Sequence, residues 1–227
     1  RALAALVAVA LALPLAASAE TPKWGTFELR LASYRPDIDS EFGGARTPYA
    51  DVFGTKRGVF PKVLVSYTLL DRFVQVDAGV GTGWFRAKGK ALFADGSRSP
   101  DNTTFSIIPA TLALTVRVDG VAHRWPIPLD VYGRAALERY NWLVTGSAGG
   151  LAEKGATNGW SIAGGVGLLL NFIDPVLGRE LDADSGVNET WLYFEVEKSR
   201  VDDFGSETSW NLSDEKLTLA GGLRMVF

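Results

Sequence analysis

The sequence of 227 residues has no cysteine, a single histidine and no excess of either charge. Without cysteine there is no disulfide scaffold and no thiol to carry a lipid anchor. The 23 basic and 26 acidic residues leave a formal net charge of −3, which gives no basic footprint for a nucleic acid. With 47% hydrophobic and 22% charged residues, the composition is that of a folded protein and predicts one domain.

The sequence also lacks a hydrophobic run long enough to cross a bilayer as a helix, which takes about 20 apolar residues. Its longest run, Ala2 to Leu13, is followed by Pro14 and the small-residue tripeptide Ala17-Ser18-Ala19. This order is typical of a secretory signal peptide. We therefore predict a signal peptide over residues 1–19, truncated at its start, and one exported domain over residues 20–227. A buried N-terminal helix is the alternative.

Alternation of apolar and polar residues at period two dominates the rest of the chain and predicts eight β-strands. On one face of these strands no residue is charged. The opposite face carries six basic and six acidic residues. They are Glu28, Arg30, Lys62, Asp77, Arg117, Asp130, Arg134, Glu138, Glu195, Glu197, Lys216 and Arg224.

The volume of a small barrel indicates which face points outward. An eight-stranded barrel is only just wide enough for its own side chains, and the large residues of the charge-free face would overfill it. Small residues and balanced charges fit better, because buried charges are tolerated when they are paired. We therefore predict an all-β fold, an eight-stranded antiparallel up-and-down transmembrane β-barrel with the charge-free face against lipid. A soluble lipocalin-like barrel or a two-sheet sandwich is the alternative.

Long and short connections are predicted to alternate, as they do in membrane barrels. Long external loops are expected at residues 36–58, 87–104, 144–159 and 199–213, with short turns at 71–72 and near residue 119. The connection between the sixth and seventh strands differs. Asp174, Pro175 and Gly186 predict a short periplasmic helix with an Asp N-cap and Pro at its first position.

The last eight residues, Ala220 to Phe227, resemble the C-terminal signal of bacterial outer-membrane β-barrel proteins. Gly222 stands at the glycine position of that signal, and Met225 and Phe227 stand at its closing hydrophobic positions. The resemblance implies a place in the Gram-negative outer membrane and recognition by the barrel assembly machinery during insertion. These three residues would then be an insertion signal.

A narrower resemblance extends over residues 24–227. The segments Gly186–Glu195, Leu177–Asp182 and Val59–Lys62 are similar to those of a myxobacterial-type family of small outer-membrane barrels. That resemblance implies the barrel fold and no particular activity. Glu189 stands where the family pattern has a histidine, and this departure removes one polar site.

The chain offers few residues for catalysis or for cofactor binding. Outer-membrane barrel enzymes use a histidine near the external surface, whereas His123 is predicted in a periplasmic turn. The glycines of residues 79–83 share one strand face, which is unlike a nucleotide-binding loop. Three aspartate pairs lack the register of a calcium loop, namely Asp37 with Asp39, Asp182 with Asp184, and Asp202 with Asp203. We predict no enzymatic activity, no cofactor and no metal.

Four tryptophans are predicted near strand ends, where amphipathic rings form a girdle at the membrane interface. They are Trp24, Trp84, Trp142 and Trp160. The sequence thus predicts a monomeric outer-membrane barrel with a charge-plugged lumen and a structural or loop-mediated interaction role, with lipid and an external molecule as partners. A narrow transporter of small or apolar solutes is the second hypothesis. A lipid-modifying enzyme dependent on His123 is the third.

Overall fold

The computed structural model describes residues 22–93, 96–118, 127–146 and 151–227. The predicted signal peptide and His123 lie outside these residues. Within them, nine β-strands form one antiparallel sheet. The strands are β1 Gly25–Tyr34, β2 Gly58–Asp71, β3 Gln75–Gly83, β4 Phe85–Gly89, β5 Thr103–Val118, β6 Leu129–Thr145, β7 Leu151–Leu169, β8 Glu189–Arg200 and β9 Thr218–Val226.

The sheet closes on itself and forms a barrel of eight strands. β3 and β4 are two halves of one barrel strand, since both pair with β5 and only Trp84 separates them. β1 pairs with β2 on one side and with the last strand, β9, on the other. Every other strand pairs with its neighbours in chain order. The predicted fold class, an eight-stranded antiparallel up-and-down barrel, is therefore confirmed.

The two faces of the sheet differ as the alternation predicts. On β1, Glu28 and Arg30 point into the barrel and are buried, whereas Leu29 and Leu31 are exposed on its outside. The same apolar exterior continues around the other strands and includes Phe194 on β8. A closed sheet pairs all of its backbone hydrogen-bonding groups, so a barrel with an apolar outside can cross a bilayer. The exterior is therefore the lipid-facing surface.

The two ends of the barrel carry different connections. At the loop end, the β1–β2 connection contains a 3-10 turn, Ile38–Phe42, and helix α1, Pro48–Phe53. At the turn end, where β1 begins and β9 ends, the β7–β8 connection contains a 3-10 turn, Leu170–Phe172, and helix α2, Pro175–Ser185. No helix in the described part of the chain has both the length and the apolar character needed to cross a membrane.

Helix α2 agrees with its sequence prediction at both ends. The Asp174 carboxylate accepts hydrogen bonds from the backbone N–H of Val176 at 3.1 Å and of Leu177 at 3.0 Å. Gly186 ends the helix at φ 69°, a left-handed conformation that glycine adopts without steric strain. Local capping chemistry therefore determines this connection.

Residues 144–159 are not a long loop, and this prediction was wrong. β6 continues to Thr145 and β7 begins at Leu151, so only residues 146–150 connect them. These strand ends extend past the apolar belt. There, outward residues need not be hydrophobic, and the pairing continues without apolar alternation.

Candidate functional site

Ion pairs fill the lumen at the level of the membrane. Arg224 on β9 lies 2.5 Å from the Asp130 carboxylate on β6 and 3.3 Å from the Glu28 carboxylate on β1. Arg134 on β6 pairs with Glu28 as well and lies 3.4 Å from Glu195 on β8. Arg224 and Glu28 face each other on the adjacent strands β9 and β1. Because β6 is not adjacent to β1, β8 or β9 in the sheet, the pairs that Asp130 and Arg134 make with those strands cross the lumen.

A second group of charges continues this network toward the loop end. Arg30 pairs with Glu195 and places a guanidinium nitrogen 3.0 Å from Glu197. Lys62 lies 3.5 Å from Glu138 and donates a hydrogen bond to the Tyr140 hydroxyl at 3.0 Å. The charges of the central lumen thus compensate one another, as buried charges require.

A third pair lies nearer the turn end. Arg117 pairs with Asp77, and the Asp77 carboxylate also accepts hydrogen bonds from Thr68 and Gln75, each at 2.9 Å. A carboxylate with several donors loses little on leaving water. This corner of the lumen is therefore held by neighbouring strands as well as by charge.

Every predicted lumen charge except Lys216 lies inside the barrel. Lys216 precedes β9, which begins at Thr218, and its side chain is exposed. The prediction extended the last strand too far toward the loop end. The predicted list of lumen charges also omits Glu189, which is buried at the start of β8. Its carboxylate lies 2.5 Å from Lys23 and accepts a hydrogen bond from Trp191 at 2.8 Å. Extending the alternation of β8 back by one residue identifies it.

The ionic layer leaves little space for a solute. One cavity of about 30 Å³ lies within it. One water molecule needs about 10–15 Å³ of such space, so the cavity has room for only a few water molecules. Half of its lining residues are charged, namely Glu28, Arg30, Lys62, Arg134, Glu138 and Glu197. A permeating solute would have to separate these ion pairs.

An aromatic core closes the barrel above the ionic layer. The Tyr34 ring lies 5.0 Å from the Phe60 ring and 4.9 Å from the Phe85 ring, and Phe60 lies 5.9 Å from Tyr140. The Tyr34 hydroxyl donates to the backbone carbonyl of Leu212 at 2.6 Å, which fixes the 201–217 loop over the core. Such close aromatic contacts add to the stabilisation from apolar burial.

Trp142 belongs to the interior, and its prediction as an interface residue was wrong. Its ring is buried and stacks on Trp210 with the ring centroids 4.1 Å apart. β6 runs beyond the membrane with Tyr140 and Trp142 on its inward face, so this position faces the folded loops. Trp24 and Trp84 are exposed on the outside at opposite ends of the lipid-facing belt, and Trp160 is half-buried.

The β1–β2 connection is folded over the loop end. The Asp39 carboxylate accepts hydrogen bonds from the backbone N–H of Tyr49 at 2.7 Å and of Ala50 at 3.2 Å, which holds the first turn of α1. Arg35 lies 2.8 Å from Asp39 and 2.7 Å from Glu215 of the opposite loop. These contacts join the 35–57 and 201–217 connections into one unit, which we call the loop cap.

The loop cap encloses an apolar pocket, the mouth pocket, of about 260 Å³. Aromatic rings from three segments form much of its wall, and Glu153 is a charged group among its lining residues. Burial raises the pKa of the Tyr49 hydroxyl above its ordinary value. The lining residues are Ile38, Phe42, Pro48, Tyr49, Val52, Phe53, Ala91, Thr103, Phe105, Val144, Glu153 and Trp210.

The described residues do not assemble a metal site. None of their His, Asp and Glu side chains form a group of three or more suited to hold an ion. Asp202 lies 2.8 Å from the Arg200 guanidinium. Hydrogen bonds from Asn158 and Ser209 lower the pKa of Asp203 and occupy its oxygens. These two aspartates therefore have protein partners.

The residues of the predicted C-terminal signal close the barrel. The Phe227 backbone N–H donates to the Gly25 carbonyl at 2.9 Å, and the Phe227 ring lies 5.9 Å from the Trp24 ring. Gly222 faces the lumen, where a Cβ would overlap the Leu29 carbonyl oxygen and lie 2.8 Å from the Tyr193 hydroxyl. The glycine therefore allows a close approach of backbone and ring.

Gly222→Ala is expected to destabilise the barrel by about 1–3 kcal/mol through overpacking, because β9 would have to move away from β1, and the folded fraction should fall accordingly. The matched control is Gly221→Ala on the lipid-facing side, where a Cβ would lie 3.2 Å or more from its neighbours. The measurement is the fraction of each variant that shows heat-modifiable migration on a detergent gel. Equal folded fractions for the two variants would contradict the packing argument.

Comparisons with known proteins concern the fold. No family model and no curated protein matches the sequence. The structure is similar to Neisserial surface protein A, at 13% identity over 90% of this chain and 97% of that chain, with a TM-score of 0.49. It is also similar to Ail, the attachment invasion locus protein of Yersinia pestis, in complex with the heparin analogue sucrose octasulfate, at 10% identity over 90% and 97% of the two chains, with a TM-score of 0.42.

A third similar structure is the N-terminal β-barrel domain of Pseudomonas aeruginosa OprF, at 11% identity over 91% of this chain and 100% of that chain, with a TM-score of 0.35. Likeness at this level carries no activity to this chain, and the myxobacterial-type family stays a prediction. We assign the protein class from the closed sheet, its apolar outside and its ionic lumen. By that geometry the chain is a small eight-stranded β-barrel of the bacterial outer membrane.

Proposed function

We propose that the protein is a non-conducting outer-membrane anchor that presents its loop cap to an external partner. The observation that supports this most is the double closure of the lumen. Ion pairs from β6 cross the lumen to β9 and β1 in the membrane, and the aromatic core around Tyr34 lies above them. A barrel closed twice has no continuous water path. The protein would then contact its external partner through the loop end of the barrel.

The loop cap has the properties of an interaction surface. Salt bridges between Arg35 and Glu215 at 2.7 Å and between Arg57 and Asp214 at 2.5 Å fasten its two connections to each other and to the barrel. Pre-organised loops reduce the entropy lost on binding. The mouth pocket within the cap offers an apolar, aromatic contact site for part of such a partner.

Planar-bilayer recording tests the closed lumen. The purified, folded protein is expected to give no steady conductance, since each permeating ion would have to separate pairs such as Arg30 with Glu197. A large general porin inserted into the same bilayer is the positive control, and heat-modifiable migration confirms that the sample is folded. Reproducible steady conductance steps from the pure protein would contradict the proposal.

A narrow transporter of small apolar solutes is the second candidate, and the mouth pocket is the observation that favours it. A solute entering there would have to leave sideways, because Phe105 and the rest of the aromatic core lie below the pocket. The test is uptake of an apolar solute into liposomes by the wild-type protein and by an Arg117→Gln/Asp77→Asn variant, which neutralises both members of one buried ion pair. Uptake that survives this neutralisation would favour the transporter.

The remaining proposals concern assembly. We propose that the barrel works as a monomer, and that the barrel assembly machinery recognises Gly222, Met225 and Phe227 during insertion. We also propose that it has no enzymatic activity. A lipid-modifying activity that disappears in a His123→Ala variant would contradict that last proposal.

A further inference from the structure

Basic side chains lie on the outside of the barrel directly above the lipid-facing belt. On β6, on β8 and where β3 passes into β4, an exposed apolar residue near the loop end is followed, two positions further out, by an exposed basic residue. The apolar and basic pairs are Trp84 and Arg86, Leu137 and Arg139, and Val196 and Lys198. Arg200 is the next outward residue on β8. We call Arg86, Arg139, Lys198 and Arg200 the cationic girdle.

Strand register brings three of these cations onto one stretch of wall. Arg139 on β6 is opposite Asn158 on β7, and Arg200 on β8 is opposite Trp160 on β7. Asn158 and Trp160 are successive outward residues of β7. Arg139, Lys198 and Arg200 therefore flank β7 from both sides, at the level where the apolar belt ends.

Neighbouring groups hold two of the girdle side chains in place without neutralising them. The Arg139 guanidinium donates to the Asn158 side-chain oxygen at 2.9 Å, and the Arg86 guanidinium lies 5.9 Å from the Trp84 ring centroid. The acids close to this wall belong to the loop that follows β8. They are Asp202, 2.8 Å from Arg200, and Asp203, which accepts a hydrogen bond from Asn158.

The strands themselves contribute no acid at this level. On the loop-end half of the described strands, every outward-facing side chain is apolar, uncharged polar or basic. Of the acidic strand residues there, Glu138 and Glu197 point into the lumen and are buried, and Glu153 lines the mouth pocket. The strands therefore contribute only positive charge to the outer wall above the belt, and the acids that lie near it are Asp202 and Asp203 of the following loop.

We propose that the cationic girdle binds the phosphate-bearing headgroups of lipids in the leaflet at the loop end. The lipid-facing belt is continuous with the girdle. A lipid whose acyl chains lie against Leu137, Ile162 and Val196 brings its headgroup to the cations. A guanidinium presents paired N–H donors that match phosphate oxygens. This site lies on the barrel wall and is independent of the loop cap and its partner.

The test compares two triple variants with the same change in charge. Arg139→Gln/Lys198→Gln/Arg200→Gln removes most of the girdle, whereas Arg46→Gln/Lys56→Gln/Arg98→Gln removes exposed cations from the loops. Each folded protein is equilibrated in detergent with phosphatidic acid and phosphatidylcholine, and the retained lipids are counted by native mass spectrometry. The girdle variant is expected to lose about tenfold in preference for phosphatidic acid. The loop variant should keep it.

Inorganic phosphate added as a competitor distinguishes a lipid site from a free-phosphate site. Because the acyl chains contribute to binding, millimolar phosphate is expected to leave phosphatidic acid retention nearly unchanged. The proposal is overturned if both triple variants retain phosphatidic acid equally, or if inorganic phosphate displaces it. Heat-modifiable migration shows that each variant is folded before the lipids are counted.

Discussion

Replacing Arg224 by methionine is expected to destabilise the barrel by about 3–5 kcal/mol, because the Asp130 carboxylate would remain buried without its cation. Arg224 is fully buried, 2.5 Å from Asp130 and 3.3 Å from Glu28. Its guanidinium also lies over the rings of Tyr132 and Tyr193, at 4.7 Å and 5.4 Å from their centroids. Methionine fills much of the volume and supplies neither the charge nor the donors.

Urea unfolding of the detergent-solubilised barrel, followed by the loss of heat-modifiable migration, measures this effect. Arg86→Met is the matched control, since Arg86 is exposed on the outer wall and its replacement leaves no buried carboxylate unpaired. The double variant Arg224→Met/Asp130→Asn should recover part of the loss, because it removes the unpaired charge. An unchanged midpoint for Arg224→Met would mean that water solvates the lumen charges and that the lumen is open.

Much of the barrel follows from the sequence because a sheet with two different environments has a strict period of two. Glu195 and Phe194 are neighbours in the chain and lie on opposite sides of the wall, as alternation requires. Helix α2 is predictable for a different reason, since Asp174 and Gly186 act within a few residues of their own positions. Features of this kind need no knowledge of distant contacts.

The partners of the buried charges are not predictable in the same way. Alternation places Arg224 and Asp130 in the lumen. Their contact depends on the relative heights of β6 and β9 in the closed barrel, which the register of the intervening strands determines. The predictions for Trp142 and for residues 151–159 are wrong because strands beyond the membrane have water outside them. Their outward side chains need not be apolar, so the sequence pattern no longer shows which side chains point outward. The loop cap depends on contacts such as Arg35 with Glu215, which are distant in sequence and carry no periodic signal.

A charge placed on the outer wall is expected to have an effect that depends on its depth in the membrane. Leu114 and Ile108 both lie on β5, both face outward, and their exposures are 47% and 45%. Leu114 lies in the middle of the lipid-facing belt, and Ile108 lies near its loop-end edge. Leu114→Arg is expected to destabilise the barrel by about 2–4 kcal/mol and Ile108→Arg by about 0–1 kcal/mol.

The two variants share the strand, the face and the introduced side chain, so the comparison isolates the effect of depth in the membrane. Refolding into phosphatidylcholine vesicles and urea titration of the folded fraction gives both free energies of unfolding. In hydrocarbon, an arginine near the bilayer midplane cannot extend its guanidinium to the headgroups as easily as one at the edge can. In water, both positions would accept arginine equally. Equal stabilities for Leu114→Arg and Ile108→Arg would therefore contradict the assignment of the apolar face to lipid, on which the ionic lumen and the cationic girdle both depend.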